Sequence, residues 1–154
     1  MKIDVLANSV SKSELANRFG IVLKRFNHNS RAIPFFEAAR DLADPTGSEF
    51  ANATSNLASV MRGEYEQHRI FLDALNRQIA CKDCRNAIVT TANVLRIVER
   101  PVSNGEYLLN RALGWLPLLE TEILRIHALS DLLGASTVFF ASRKQHDKVA
   151  SSSH

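Results

Sequence analysis

From residue 50 to residue 80, and again from 106 to 133, apolar side chains return every three or four residues. Leu57, Met61, Tyr65, His68, Leu72, Leu75 and Ile79 step by four and three, and Leu109, Ala112, Leu116, Leu119, Ile123, Ile126, Ser130 and Leu133 do the same. Such spacing lines up side chains along one face of an α-helix, whereas a strand would need alternation every second residue. No clean period-two stretch occurs anywhere in the chain, and 6 Gly and 4 Pro among 154 residues leave few breakers. The expected fold is all-α: an antiparallel bundle of four to five helices, with heptad-spaced seams that allow self-association through the long helices.

Shorter patterns supply the remaining elements. Leu15, Phe19, Val22 and Phe26, widened by Leu23, follow a Ser11-x-x-Glu14 capping box and predict an opening helix with that stripe inward. Residues 32 to 43 predict a second helix with Pro34 near its first turn, and Asp44-Pro45-Thr46-Gly47 is turn chemistry. The stripe that ends at Ile79 does not continue in phase through Cys81, Cys84, Ile88, Thr91, Leu95 and Val98, which predicts a break between 80 and 83. Arg100-Pro101 closes that helix, and Ser103-x-x-Glu106 offers a second capping box. Pro117 must kink or split the last long segment, and Gly134 suits its C-cap. The expected organisation is one domain over residues 1 to 142, followed by a polar, basic, flexible tail over 143 to 154.

Composition is that of a soluble globule, 45% hydrophobic and 23% charged. The N-terminus lacks the apolar core and cleavage site of a secretory signal. The least charged stretch, IHALSDLLGASTVFFAS, is interrupted by His127 and Asp131 and is shorter than the ~20 apolar residues of a spanning helix. No membrane span and a cytoplasmic location are the expectation. Residues 1 to 31 carry six Lys/Arg against Asp4 and Glu14, and residues 143 to 154 carry Arg143, Lys144 and Lys148 against Asp147. Both ends are therefore basic, and the segment between them is acidic.

Chemistry has one candidate, the only two cysteines, Cys81 and Cys84. A helix beginning by residue 81 would set both sulfurs on one face of its first turn, as a dithiol or half a zinc site requires. The opposing reading makes them small apolar seam residues in phase with Ile88 and Leu95. Position 88, one turn beyond Cys84, holds isoleucine where a proton-handling histidine would help, and His28, His68, His127 and His146 are scattered. His68 itself sits on an apolar stripe as a packed residue or a titrating switch. Glu120 and Glu122 are two apart and fall on different faces of a helix, which argues against a dinuclear carboxylate centre. No phosphate-binding loop or hydrolase motif occurs, so no cofactor and no enzymatic activity are expected.

Three binding readings remain. Arg18, Lys24, Arg25 and Arg31 make a basic patch in a segment whose Ala16 and Gly20 have helix-turn-helix spacing, but Ile21, Val22, Leu23 and Phe26 predict burial where a recognition helix needs an exposed polar face. Nucleic-acid binding is the lesser reading. Phe35-Phe36 and Phe139-Phe140 each place an aromatic pair beside charge, a composition enriched at interfaces. The expected function is that of a small intracellular adaptor or regulatory protein that binds a protein partner, first of all itself as a homo-oligomer. The alternatives are a dithiol protein centred on Cys81 and Cys84 and a nucleic-acid binder.

Overall fold

A computed structural model describes residues 10–62 and 66–152; Tyr65, placed above on a helical stripe, lies outside them. Every regular element among the described residues is helical. Among the described residues, seven α-helices and a single 3-10 turn pack into two compact units that divide after Cys81.

The first unit holds α1 (Lys12–Arg25), α2 (Asn29–Leu42), α3 (Ser48–Val60) and α4 (Gln67–Ala80). Each packs on its neighbour in sequence, and α1 also touches α3. Ser11 caps α1 as its spacing predicts, its Oγ accepting from the Glu14 amide at 2.9 Å. Helix α2 starts three residues earlier than the sequence suggested, so Pro34 sits inside it. The core is built on Ala32, Phe36, Leu57 and Val60, with Ile21, Leu23, Ile33 and Met61 against its edge, and continues into Phe71, Ala74 and Leu75. The stripe from 50 to 80 is carried by two helices and not by one long helix, since α3 ends at Val60 and α4 begins at Gln67. Leu57 and Leu75, from the two halves of that stripe, are buried within this unit.

The second unit holds α5 (Cys84–Leu95), α6 (Gly105–Trp115), the 3-10 turn Leu116–Leu118 and α7 (Glu122–Ser152). Asp83 caps α5, its carboxylate accepting from the Asn86 amide at 3.3 Å, which fixes the break expected between 80 and 83. Pro117 splits the last segment: its missing amide hydrogen leaves α6 to end and only a 3-10 turn to form. The second capping box is not used, because Asn104 rather than Ser103 precedes α6 and its side chain makes no cap bond. Gly134 does not end a helix, and α7 runs through it and on to Ser152, so residues 143–152 are helical where a flexible tail was expected. The core comprises Ile88, Val94, Leu95, Leu108, Ala112, Leu119, Leu132, Ala135 and Phe139.

Candidate functional site

The face that α1 turns inward is small and polar along its centre, with Ile21 and Leu23 partly buried at its edges. Ser13 and Gly20 are its fully buried positions. Ser13 donates from Oγ to the Ala39 carbonyl at 2.7 Å, and Asn56 donates from Nδ2 to the Asn17 Oδ1 at 2.9 Å. Ser11 adds a bond from its Oγ to the Glu49 carboxylate at 2.8 Å. At Gly20 the absence of a side chain lets the Phe36 ring lie on the helix backbone, where a Cβ would sit 2.5 Å from the ring edge. Small size and satisfied hydrogen bonds thus decide which side of α1 is inside.

Its apolar stripe consequently lies outside. Leu15, Phe19, Val22 and Phe26 are between 48% and 70% exposed, which overturns the inward stripe expected from their spacing. Phe35 extends the patch onto α2, its ring 5.9 Å from that of Phe19 at a 39° tilt. Four large apolar residues at i, i+4, i+7 and i+11 form one row, and an exposed contiguous apolar patch of this kind marks an interaction surface.

Helix α7 repeats the arrangement in the second unit. Leu132, Ala135 and Phe139 face the core, the Phe139 ring seated against Gly105 where any Cβ would collide with it. Arg96 pairs with Asp131 at 2.6 Å, and Ser142 donates to the Val98 carbonyl at 2.9 Å, which fix this helix against the end of α5. The opposite face carries the seam expected to be buried: Ile123, Ile126 and Leu133 are 55% to 68% exposed. Leu129, Val138 and Phe140 are exposed beside them. By length and composition this helix is also long and apolar enough to cross a membrane, a condition that the shorter stretch read from the sequence did not meet.

Each aromatic pair divides between the two sides of its helix. Phe36 and Phe139 are fully buried core residues, whereas Phe35 and Phe140 are on the surface. Adjacent residues on a helix point about 100° apart, so a pair cannot share one environment at a helix surface.

The four basic candidates do not converge. Arg18 is tied to Glu14 one turn back at 2.6 Å, and Arg25 lies exposed two turns along the same side. Lys24 projects to another side of α1, half-buried, and burial with the Arg62 guanidinium nearby lowers its pKa below the ordinary 10.5. Arg31 is exposed on α2.

Cys81 and Cys84 do not share a helical turn. Cys81 is the C-cap of α4, Lys82 then adopts the left-handed φ of 59°, and Cys84 is the first residue of α5. Both are half-buried free thiols, and Cys81 donates from Sγ to the Thr46 carbonyl at 3.2 Å. Among the described residues no group of three His, Cys, Asp or Glu side chains is placed to hold a metal ion. His68 is half-buried at the start of α4, and Glu120 and Glu122 are both exposed.

Surface cavities open on each unit among the described residues. One of about 400 Å³ lies between α1 and α3, lined by Glu14, Asn17, Arg18, Glu49 and Asn52. Another of about 390 Å³ lies under α7, lined by Glu99, Arg100, Ser103, Arg143, His146 and Asp147. Both mix charges of opposite sign and so favour no single class of charged ligand. Compared with known proteins, the chain matches no family model, no curated protein and no solved structure.

Proposed function

We propose that the protein works by binding rather than by catalysis, as a small intracellular helical adaptor or regulatory protein that associates with itself and with other proteins through apolar helix faces. The observation that carries this reading is the outward stripe of α1, in which Leu15, Phe19, Val22 and Phe26 stand exposed together while Ser13 and Gly20 are the buried positions of the same helix. Burying apolar area is worth roughly 25 cal/mol per Å², so a row of four such side chains gains substantially from a partner surface. Dithiol chemistry has weaker support, because the break between α4 and α5 removes the shared helical turn on which it rested. Nucleic-acid binding is weaker too, since Lys24 does not stand with Arg18 and Arg25.

Sedimentation velocity over a concentration series tests the reading. The wild-type chain is expected to exceed its monomer mass of 17.2 kDa. The double substitution Phe19→Asp/Phe26→Asp, at exposed positions where folding is spared, is expected to reduce the assembly. A chain that stays monomeric at every concentration overturns self-association.

A further inference from the structure

The outer face of α7 is an ordered seam as well as an apolar one. Ile123, Ile126, Ser130, Leu133, Thr137 and Phe140 step by three and four, the a and d positions of a heptad, and all six are exposed. The inner positions Ala128, Leu132, Ala135, Phe139 and Ser142 step the same way and are engaged within the unit. From Ile123 to Phe140 the outer seam is roughly 26 Å long at 1.5 Å per residue. It carries no charged residue at any a or d position.

The charges gather at its two ends with opposite sign. Glu120 and Glu122 are exposed at the start of α7, where Arg125 turns its Nε to the Leu119 carbonyl at 3.1 Å. Lys144 and Lys148 stand at the other end and outnumber Asp147, beside Arg143, whose guanidinium lies 3.4 Å from the Glu106 carboxylate of α6. A parallel pair of such helices would bring acid to acid and base to base. An antiparallel pair brings each acidic end to a basic end and opposes the two helix macrodipoles, so charge complementarity selects orientation.

We propose that the outer face of α7 is the docking site for α7 of a second copy of this chain, in an antiparallel, two-fold symmetric pair. The inference rests on the self-association proposed above and names its surface. In the register that sets a positions against d positions, Ile123 meets Phe140, Ile126 meets Thr137, and Ser130 meets Leu133 of the second copy. The same register puts Glu122 opposite Arg143, twice by symmetry, where it joins Glu106 as a second carboxylate at that guanidinium. Ser130, Gly134 and Thr137 near the middle let the backbones approach. A lipid surface is the less fitting occupant: small polar residues recur along the seam, and exposed Glu120 and Glu122 at one end would face anionic headgroups.

The test uses the full chain carrying Phe19→Asp/Phe26→Asp, which leaves α7 as the seam. Sedimentation is expected to show a dimer, and Leu133→Asp to abolish it with helical circular dichroism unchanged. Glu122→Arg should weaken dimerisation about five- to tenfold, since two exposed ion pairs become repulsive. Adding Arg143→Glu should restore it, a rescue that a parallel pair cannot show because each residue would there face itself. A dimer indifferent to Leu133→Asp overturns the proposal. So does a monomeric α1 variant beside an associating wild type, an outcome that leaves the binding reading standing. Binding of the monomeric chain to phosphatidylcholine/phosphatidylserine vesicles, lost on Leu133→Asp, would overturn it in favour of a lipid surface.

Discussion

Gly20 decides the orientation of α1. In a helix interior alanine is favoured over glycine by about 1 kcal/mol, so on local grounds Gly20→Ala should stabilise the chain. The Phe36 ring occupies the space a methyl would need. Overpacking of that kind costs about 1–3 kcal/mol and reverses the sign. Urea denaturation of Gly20→Ala is therefore expected to show a loss of about 1–2 kcal/mol, and Gly20→Ala/Phe36→Leu should recover part of it, because the smaller side chain vacates the contact. A variant as stable as wild type would refute the close packing. The sequence did carry a signal for this inward face: Ser13, Ala16, Asn17 and Gly20 recur at helical spacing opposite the apolar row. Periodicity scored by hydrophobicity alone passes over it, since small size and hydrogen-bonding capacity do not register there.

At the scale of elements, several boundaries followed local backbone chemistry, though α5 ends at Leu95, short of the stop expected at Arg100-Pro101. The Ser11 cap, the break before Cys84 and the disruption at Pro117 all stand where their residues required. Ser11 does more than cap: its hydroxyl accepts from Glu14 and donates to Glu49 at the start of α3. Ser11→Ala should cost about 1 kcal/mol, the usual worth of a lost N-cap. Thermal unfolding is expected to show that loss, with Ser11→Asp recovering the cap but not the donor to Glu49. Full recovery by Asp would mean that the bond to Glu49 contributes nothing. Boundaries set by packing were less legible. The 50-to-80 stripe keeps its phase across the interval between α3 and α4, so periodicity could not reveal the interruption. Gly134 looked like a stop because a helix needs no glycine, yet the turns around it continue without one.

For the molecule as a whole, two cores rather than one organise the chain, one around Phe36 and one around Phe139. Each ring is fully buried on a glycine of a neighbouring helix. Truncating such a residue costs about 3–5 kcal/mol. Phe36→Ala should lower amide-exchange protection through α1, α2 and α3 while that of α5 and α7 is retained, and Phe139→Ala should do the reverse. Uniform loss in either variant would show that the cores open together. The sequence by itself determined the all-helical class, a few of the helix ends and the existence of amphipathic faces, because these follow from backbone chemistry and from periods of three and four within a few turns. Which face of α1 and of α7 went inside was settled only in the tertiary structure. A helix carries every side of its wheel at once, and the choice depends on whether a neighbour offers a ring to fit a glycine, a carbonyl to accept from a serine, or nothing at all.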